Sequence, residues 1–229
     1  MPEDKKASKV SISLWDVSTR LTHWLFVCLV ACSWWTEEIG EMDWHAWSGY
    51  ALLTLIVFRL YWGFVGSSSA RFGSFIVGPG ALKVYAQELF RTKSRKPALG
   101  HNPIGGWSVM AMLILMLLQI GLGLFAVDVD GIESGPLSYY VSFDLGRDIA
   151  DWHELAFNAL LVFIAIHISA IVFYLVFKKM NLITPMVTGR TQVSAEDSTP
   201  ADYPTFVPLW RALVGLGLSA GITWLIVTL

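Results

Sequence analysis

The chain has 229 residues, of which 55% are hydrophobic and only 15% are charged, and its formal net charge is -2. Soluble domains carry about 25% charged residues, so this composition excludes an ordinary soluble domain and predicts an integral membrane protein. The net charge says little about partners, and no nucleic-acid partner is expected. The lipid bilayer is therefore the first partner that the sequence predicts.

Five apolar stretches are long enough to cross a bilayer as helices, which takes about 17 to 25 residues each. The first could be a signal peptide, because three lysines precede it. However, no small-residue cleavage site follows it, and it ends in Trp34 and Trp35, which are typical interfacial anchors of a retained span. We therefore expect an all-α membrane protein with five transmembrane helices, roughly over residues 19–36, 44–65, 104–127, 152–177 and 209–229.

The basic residues predict the orientation of these helices. Every Lys and Arg except Arg147 falls in the N-terminal tail, in the 66–103 and 178–208 connections or at the adjoining helix ends. The opposite loops are acidic. The positive-inside rule therefore predicts a multi-pass protein with its N-terminus in the cytoplasm and, after five spans, its C-terminus outside.

Two connecting segments divide the chain further. Residues 80–92 place Leu82, Tyr85, Leu89 and Phe90 on one face, which predicts an amphipathic helix lying on the cytoplasmic surface. Residues 189–206 are rich in Thr, Ser, Asp and Pro and predict a flexible linker. The predicted organisation is thus a helical body over 1–188, this linker, and a C-terminal transmembrane helix over 207–229.

The C-terminal helix carries Gly217 and Gly221, a spacing that allows close packing against another helix. That the two glycines simply face lipid is nearly as good an interpretation. The two cysteines of the chain, Cys28 and Cys32, lie inside the first apolar segment, and no spacing typical of covalent haem attachment occurs. A c-type haem is therefore not expected.

Four histidines lie at membrane depths that predict two level pairs. His153 and His167 are fourteen residues apart, which places them nearly on one helix face and about 21 Å apart along the axis. His45 and His153 each lie near the outer end of their spans, and these two helices run in the same direction. His23 and His167 then form an inner pair, although their depths match less closely.

Ionisable side chains in a membrane span are costly, and their default interpretation is functional. A single histidine could simply hydrogen-bond a neighbouring carbonyl, but two level pairs are hard to explain by packing alone. A bare metal ion fits poorly, because no thiolate or carboxylate shares these depths to complete its coordination. Haem held between paired imidazoles fits better, and filling both axial positions favours electron transfer over oxygen binding.

Arg59 follows His45 by fourteen residues and so shares its helix face at the level of the inner pair. A buried arginine needs an anionic partner, and a haem propionate would serve. Arg20 is a second candidate for the same role. Alternatively, Arg59 extends its charged end to the cytoplasmic interface.

Over residues 12–188 the chain resembles the prokaryotic dihaem b-type cytochromes. That family includes the cytochrome b subunit of nickel–iron hydrogenases and superoxide-oxidase-like proteins. The landmarks that carry the resemblance are Trp15-Asp16, Arg20-Leu21-Thr22-His23-Trp24, Trp44-His45 with Gly49-Tyr50, residues 59–66 (RLYWGFVG), residues 100–105 (GHNPIG), Trp152-His153-Glu154 and His167.

The resemblance implies a four-helix bundle in the bacterial inner membrane that holds two b haems on His23, His45, His153 and His167. It further implies electron transfer between membrane quinone and an extracytoplasmic redox protein, such as a hydrogenase or a c-type cytochrome. His101, within the GHNPIG motif, is expected in a cytoplasmic loop, beside the inner haem or a quinone pocket or else exposed to solvent. The fifth helix lies outside the matched portion.

Two other functions compete with this one, and whether the chain is an enzyme or an electron-transfer subunit stays open. A stand-alone superoxide:quinone oxidoreductase needs a basic outer entrance to attract the anion, whereas the outer loops are acidic. A metal or proton transporter that uses the histidines as a relay is the alternative from another class. Transporters often show repeated halves and interrupted helices, and neither feature is evident in this sequence.

Overall fold

The computed structural model describes residues 9–91, 100–194, 199–200 and 203–229. Helices dominate this part of the chain, and two short strands accompany them. In chain order the elements are β1 (Lys9–Ser13), α1 (Val17–Glu38), α2 (Met42–Val65), α3 (Phe72–Phe75), α4 (Pro79–Arg91), α5 (Pro103–Gly123), a 3-10 turn (Ser138–Tyr140), α6 (Phe143–Val176), α7 (Ile183–Thr188), β2 (Arg190–Ser194) and α8 (Leu209–Val227).

Each of the five predicted spans forms a helix. Within the described residues, four helices are long and apolar enough to cross a membrane, namely α2, α5, α6 and α8, which supports a multi-pass membrane protein. Helix α1 has 22 residues, about 33 Å by helix rise, but Arg20, His23 and its threonines lower its apolar character. A fifth crossing, by α1, therefore stays a prediction.

Local sequence signals set the helix starts. Asp16 caps α1, because its carboxylate accepts a hydrogen bond from the Thr19 amide at 2.6 Å. Asn102 caps α5 in the same way, with Pro103 as the first helical residue. Helix α6 begins nine residues before the predicted span, at a Ser142 cap. The helix therefore extends beyond the N-terminal end of the apolar segment.

The helices pack as two antiparallel pairs that share one core. Helix α1 lies along α2 and α5 lies along α6, while α2 also contacts α5. Their common core is apolar and joins the two pairs, so residues on α2 and α6 can approach each other across it. Its buried members are Leu52, Leu53, Ile56, Phe72, Phe75, Leu113, Met116 and Ile120.

Helix α8 packs on α2 through a face that the sequence did not indicate. A Cβ at Gly215 would lie 2.3 Å from the Tyr61 ring, and Ser219 is almost fully buried. Gly217 and Gly221, the predicted packing face, are exposed, and no heavy atom lies within 4 Å of a Cβ built at either. Neither glycine therefore packs against the described part of this chain, and of the two interpretations the lipid-facing one fits this position.

The two strands close one end of the molecule. β1 pairs antiparallel with β2, from Lys9 opposite Ser194 to Ser13 opposite Arg190. β2 thus falls within the linker expected over 189–206, of which residues 195–198 and 201–202 lie outside the described residues. Near its end this segment returns to the body, because the Ser68 amide donates to the Thr205 carbonyl at 3.0 Å.

Helix α4 covers the segment where the sequence predicts an amphipathic helix. Leu89 is buried, and Leu82 and Tyr85 are half-buried on the same face. The side chain of Phe90 lies outside the described residues. The Tyr85 hydroxyl lies 2.9 Å from the Tyr174 hydroxyl of α6, which fastens α4 to the helical body.

Candidate functional site

The first histidine pair, His45 of α2 and His153 of α6, meets across the helical body. The two ring centroids are 6.1 Å apart and the ring planes are inclined by 74°. These residues are 108 positions apart in the sequence. Their rings are nevertheless close together, as expected if the two residues lie at the same depth in the membrane. The arrangement places two imidazoles face to edge with both rings half-buried.

Both imidazoles of the first pair are held by backbone carbonyls of neighbouring helices. His45 Nδ1 lies 2.9 Å from the Ser33 carbonyl oxygen of α1, and His153 Nδ1 lies 2.9 Å from the Gln119 carbonyl oxygen of α5. A carbonyl oxygen only accepts, so each Nδ1 must carry the proton and donate it. Each Nε2 is then left with its lone pair, which is the tautomer that a metal-binding histidine needs.

The spacing of the first pair suits one metal centre between the two rings. Two metal–imidazole bonds of about 2 Å, with a ring radius of about 1 Å on each side, give a centroid separation of about 6 Å. In the described part of the chain, no group of three or more His, Cys, Asp or Glu side chains could hold a metal ion. A haem supplies its own four equatorial nitrogens, so two imidazoles are enough to complete its coordination.

Two residues of α5 shape the space around His153. A Cβ at Gly123 would lie 2.9 Å from His153 Cε1, so only glycine leaves room for the ring there. One turn earlier, the Gln119 amide nitrogen lies 3.0 Å from His153 Nε2, and Gln119 Oε1 is buried without a hydrogen-bond partner. The Gln119 side chain would have to give way to a metal ligated by Nε2.

The second pair, His23 of α1 and His167 of α6, lies further along the helices. The two side chains interact electrostatically with each other and with His101. The ring of Trp24 meets that of His23 edge to face at 5.1 Å. His23 Nδ1 is buried and has no hydrogen-bond partner among the described residues, so this ring lacks the carbonyl that orients each histidine of the first pair.

His101 joins the second pair instead of lying in solvent. Its half-buried ring packs between Trp15 and Phe75, with centroid separations of 4.7 and 4.5 Å. Burial is the main cause that lowers the pKa of His101, to about 3, and the charges of Arg59, His167 and His23 lower it further. His101 is therefore a neutral imidazole beside the second pair.

Arg59 is buried at the same end, with 7% of its surface exposed. Its guanidinium lies 5.1 Å from the centre of the Phe72 ring, in electrostatic contact with Asp16, and one of its terminal nitrogens has no hydrogen-bond partner among the described residues. The alternative in which Arg59 extends to the interface does not fit this burial. Arg20 instead donates to the Val187 carbonyl at 2.6 Å and so ties α7 to α1.

Sequence reasoning missed Ser33, Gln119 and Gly123. Gln119 carried a usable signal, because a polar side chain inside a membrane span is costly and its default interpretation is functional. Ser33 carried none, since its contribution is a backbone carbonyl that any residue would supply. Gly123 could have been noticed only after the position of His153 was known.

Several curated proteins are similar to this chain at low identity. A probable Ni/Fe-hydrogenase B-type cytochrome subunit of Azotobacter chroococcum is 27% identical over 159 residues, which cover 63% of this chain and 65% of that relative. The corresponding protein of Rhizobium leguminosarum is 26% identical over 158 residues, covering 64% of this chain and 66% of that relative. The chain thus spans slightly less than two thirds of the length of these relatives.

A relative named probable Ni/Fe-hydrogenase 1 B-type cytochrome subunit, from Escherichia coli, is 23% identical over 221 residues and is covered over 93% of its length by 82% of this chain. No solved structure matches significantly. The family model for prokaryotic cytochrome b561 matches residues 14–189, which is more than half of the chain and includes all five histidines. The chain therefore belongs to the prokaryotic cytochrome b561 family, whose b-type cytochrome character implies haem b as the cofactor.

Proposed function

We propose that this chain binds two b haems, one on His45 and His153 and one on His23 and His167, and conducts electrons across the bilayer. The observation that carries the proposal is the 6.1 Å separation of the His45 and His153 rings, with both Nδ1 atoms committed to carbonyls. Two such rings leave paired Nε2 lone pairs for one iron.

The bound haems would supply one-electron chemistry, and the residues of the chain hold and insulate the site. The Ser33 and Gln119 carbonyls fix the tautomer and rotation of the first two ligands. Gly123 keeps space for the His153 ring, and the apolar core between α2 and α5 limits access of water. The continuous helix α6 carries one ligand of each pair, about 21 Å apart along its axis.

The redox partners follow from the relatives and from the distribution of charge. The relatives are named as cytochrome subunits of Ni/Fe-hydrogenases, so we propose a hydrogenase as the donor to this chain. The positive-inside rule places the acidic end, with the first pair, on the periplasmic side and the second pair toward the cytoplasm. Membrane quinone would then exchange electrons with the second pair.

Alanine variants of the four histidines test the ligand assignment. Iron and haem content per polypeptide, with reduced-minus-oxidised spectra, should fall from two haems to one in His45→Ala and His153→Ala. The double variant should still retain one haem, because both residues serve the same centre. His23→Ala and His167→Ala should each lose the other haem, whereas the matched control His101→Ala should keep both.

Loss of two haems in the His45/His153 double variant, or one haem shared by His45 and His167, would contradict the pairing. The quinone link has its own test. Purified protein in vesicles should show reduced haem on addition of a quinol, or oxidation on addition of quinone. A fully loaded dihaem protein that reacts with neither would remove quinone from the proposal and leave the haem assignment in place.

A further inference from the structure

The segment between α5 and α6, residues 124–142, forms a structured cap at the end of the molecule that holds the first histidine pair. Within this outer cap the Gly135 amide donates to the Ala126 carbonyl at 2.8 Å, and the Val127 amide donates to the Gly146 carbonyl of α6 at 3.1 Å. We propose that the outer cap is the docking surface for an external protein that presents an apolar patch with a basic rim. This inference rests on the proposed function in one respect, since it assigns the contact surface of the external redox protein.

The outer cap and the adjoining start of α6 expose large apolar and aromatic side chains. Between 53% and 79% of the surface is exposed at each of five residues, Val129, Ile132, Tyr139, Tyr140 and Phe143. The rings of Tyr139 and Tyr140 are 4.2 Å apart between centroids, and a Cβ at Gly131 would lie 3.4 Å from Phe143 Cε2. The turn that carries Val129 and Ile132 is thus in contact with the start of α6. An exposed apolar patch of this kind marks an interaction site.

Lipid cannot cover this patch, because it lies too far from the hydrocarbon core. Helix α6 has 34 residues, about 51 Å by helix rise, whereas the hydrocarbon core is about 30 Å thick. Residues 155–176 contain no charged side chain and span about 33 Å, so they fill the core. The charged part of the helix, residues 143–154, then extends about 18 Å beyond it. Phe143 stands at its far end, and the patch faces water unless a protein covers it.

Charge decides which kind of protein fits this patch. Residues 124–151 contain six carboxylates but one basic residue, Arg147, and the half-buried Arg147 guanidinium donates to the Val127 carbonyl at 3.0 Å. Exposed carboxylates interspersed with the patch are Asp130, Glu133, Asp144 and Asp148. A symmetric contact with a second copy of this chain would bring identical carboxylates together, which is unfavourable. Lys and Arg around an apolar centre on the partner complement the surface instead.

The outer cap also lies directly beside the first histidine pair. A Cβ at Gly135 would lie 2.3 Å from the Gly123 carbonyl oxygen, and a Cβ at Gly123 would lie 2.9 Å from His153 Cε1. Gly123 therefore contacts both the outer cap and the His153 ring. A partner docked on this surface would be close to the haem proposed to bind His45 and His153. Because the backbone of the outer cap is already hydrogen-bonded, docking would cost little ordering of the chain.

Isothermal titration calorimetry on the full chain in nanodiscs of zwitterionic lipid tests the docking surface. The probe is a soluble, basic c-type cytochrome whose exposed haem edge is ringed by lysines, which gives it an apolar centre and a basic rim. The parent should bind it, and the double variant Ile132→Ser/Tyr139→Ser should bind it about tenfold more weakly, as for two residues central to an interface. Val84→Ser, which changes a similarly exposed apolar residue of α4, is the matched control and should keep the parent affinity.

A second variant separates the contribution of charge. Asp130→Lys/Glu133→Lys reverses two exposed carboxylates of the outer cap. Its affinity for the cytochrome should also fall about tenfold, at roughly 1.4 kcal/mol per factor of ten. The parent affinity should decrease as ionic strength rises, and that decrease should be smaller in this variant because fewer exposed charges are left to screen.

Absence of binding to the parent, or equal affinity of the parent and Ile132→Ser/Tyr139→Ser, would overturn the inference. Equal binding to empty nanodiscs would assign the cytochrome to lipid, and a dimer of the parent that Ile132→Ser/Tyr139→Ser dissociates would assign the surface to a second copy. Calorimetry needs no electron transfer, so a chain without haem that still binds through the outer cap would contradict the proposed function alone. A dihaem chain that binds the cytochrome elsewhere would contradict this inference alone.

Discussion

The two histidine pairs use different means to hold an imidazole in a membrane. At the first pair, a backbone carbonyl from the adjacent helix lies within hydrogen-bond distance of each Nδ1 and so orients each ring. At the second pair, the Trp24 ring meets His23 edge to face, the buried Arg59 lies at the same end, and His23 Nδ1 has no hydrogen-bond partner among the described residues. The first site is thus preorganised by the fold, whereas we expect the second to be completed only by the haem proposed to bind there.

The two sites also differ in the free-energy cost of buried polar atoms that lack a hydrogen-bond partner. A buried polar atom without a partner costs about 1 to 3 kcal/mol, and more when it is charged. His23 and Arg59 both contribute such atoms at the second site. A haem with its anionic propionates would relieve this cost, so we expect its binding there to stabilise the fold more than binding at the first site.

The largest contrast between the two sites is expected from Gly123→Ala. The new methyl group would lie 2.9 Å from His153 Cε1 and 3.3 Å from Nδ1, so the ring must leave its carbonyl acceptor. Overpacking of this kind costs about 1 to 3 kcal/mol, and we expect loss of the first haem alone. Haem stoichiometry and the spectrum of the remaining haem measure this effect.

Gly121→Ala is the matched control for that variant. It lies two residues earlier on the same helix, and no heavy atom is within 4 Å of a Cβ built there. It should bind both haems as the parent does. Retention of the first haem in Gly123→Ala, with an unchanged spectrum, would show that the His153 ring is not confined as described.

Periodicity and apolar composition in the sequence predicted where the helices form. Fourteen residues are nearly four turns, so the spacing of His153 and His167 determines that they share a face of α6. The Asp16 cap and the amphipathic α4 likewise depend on residues that are close in sequence. Such local patterns can be predicted from the sequence because they depend only on the regular geometry of a helix.

What the sequence could not predict depends on contacts between distant segments. Nothing in the sequence of β1 indicates that it pairs with residues more than 175 positions later. The acceptor at Ser33 is a backbone carbonyl, which every residue has, so the side chain at this position could not indicate it. The packing face of α8 was also ambiguous, since small residues occur on more than one face. Only its register against Tyr61 selects Gly215 over Gly217.

A smaller effect, confined to the second site, is expected from Arg20→Met. This change removes the bond from the guanidinium to the Val187 carbonyl, and hydrogen bonds of charged groups contribute about 1.5 to 3 kcal/mol. The α7 segment would loosen from α1 three residues before His23. Thermal release of the second haem should begin at a lower temperature, while that of the first should not change.

Arg190→Met is the control for that experiment, because Arg190 is exposed on β2 next to the same segment. It should leave the release temperatures of both haems near the parent values. Equal destabilisation of the two haems in Arg20→Met would mean that the α7 contact supports the whole bundle, and the contrast between the two sites would then lose one of its supports.

The smallest effect is expected from Ser33→Ala, which separates the two oxygens that Ser33 offers to His45. The carbonyl lies 2.9 Å from Nδ1 and the hydroxyl lies 3.3 Å away, so the carbonyl makes the stronger bond. Alanine retains that carbonyl, and the loss should therefore stay within about 0.5 kcal/mol, as for a substitution that removes no buried network. The first haem should bind in full with its midpoint potential unchanged. A large drop in its occupancy would instead assign the orientation of His45 to the hydroxyl, and orientation by a backbone carbonyl would then hold only for His153.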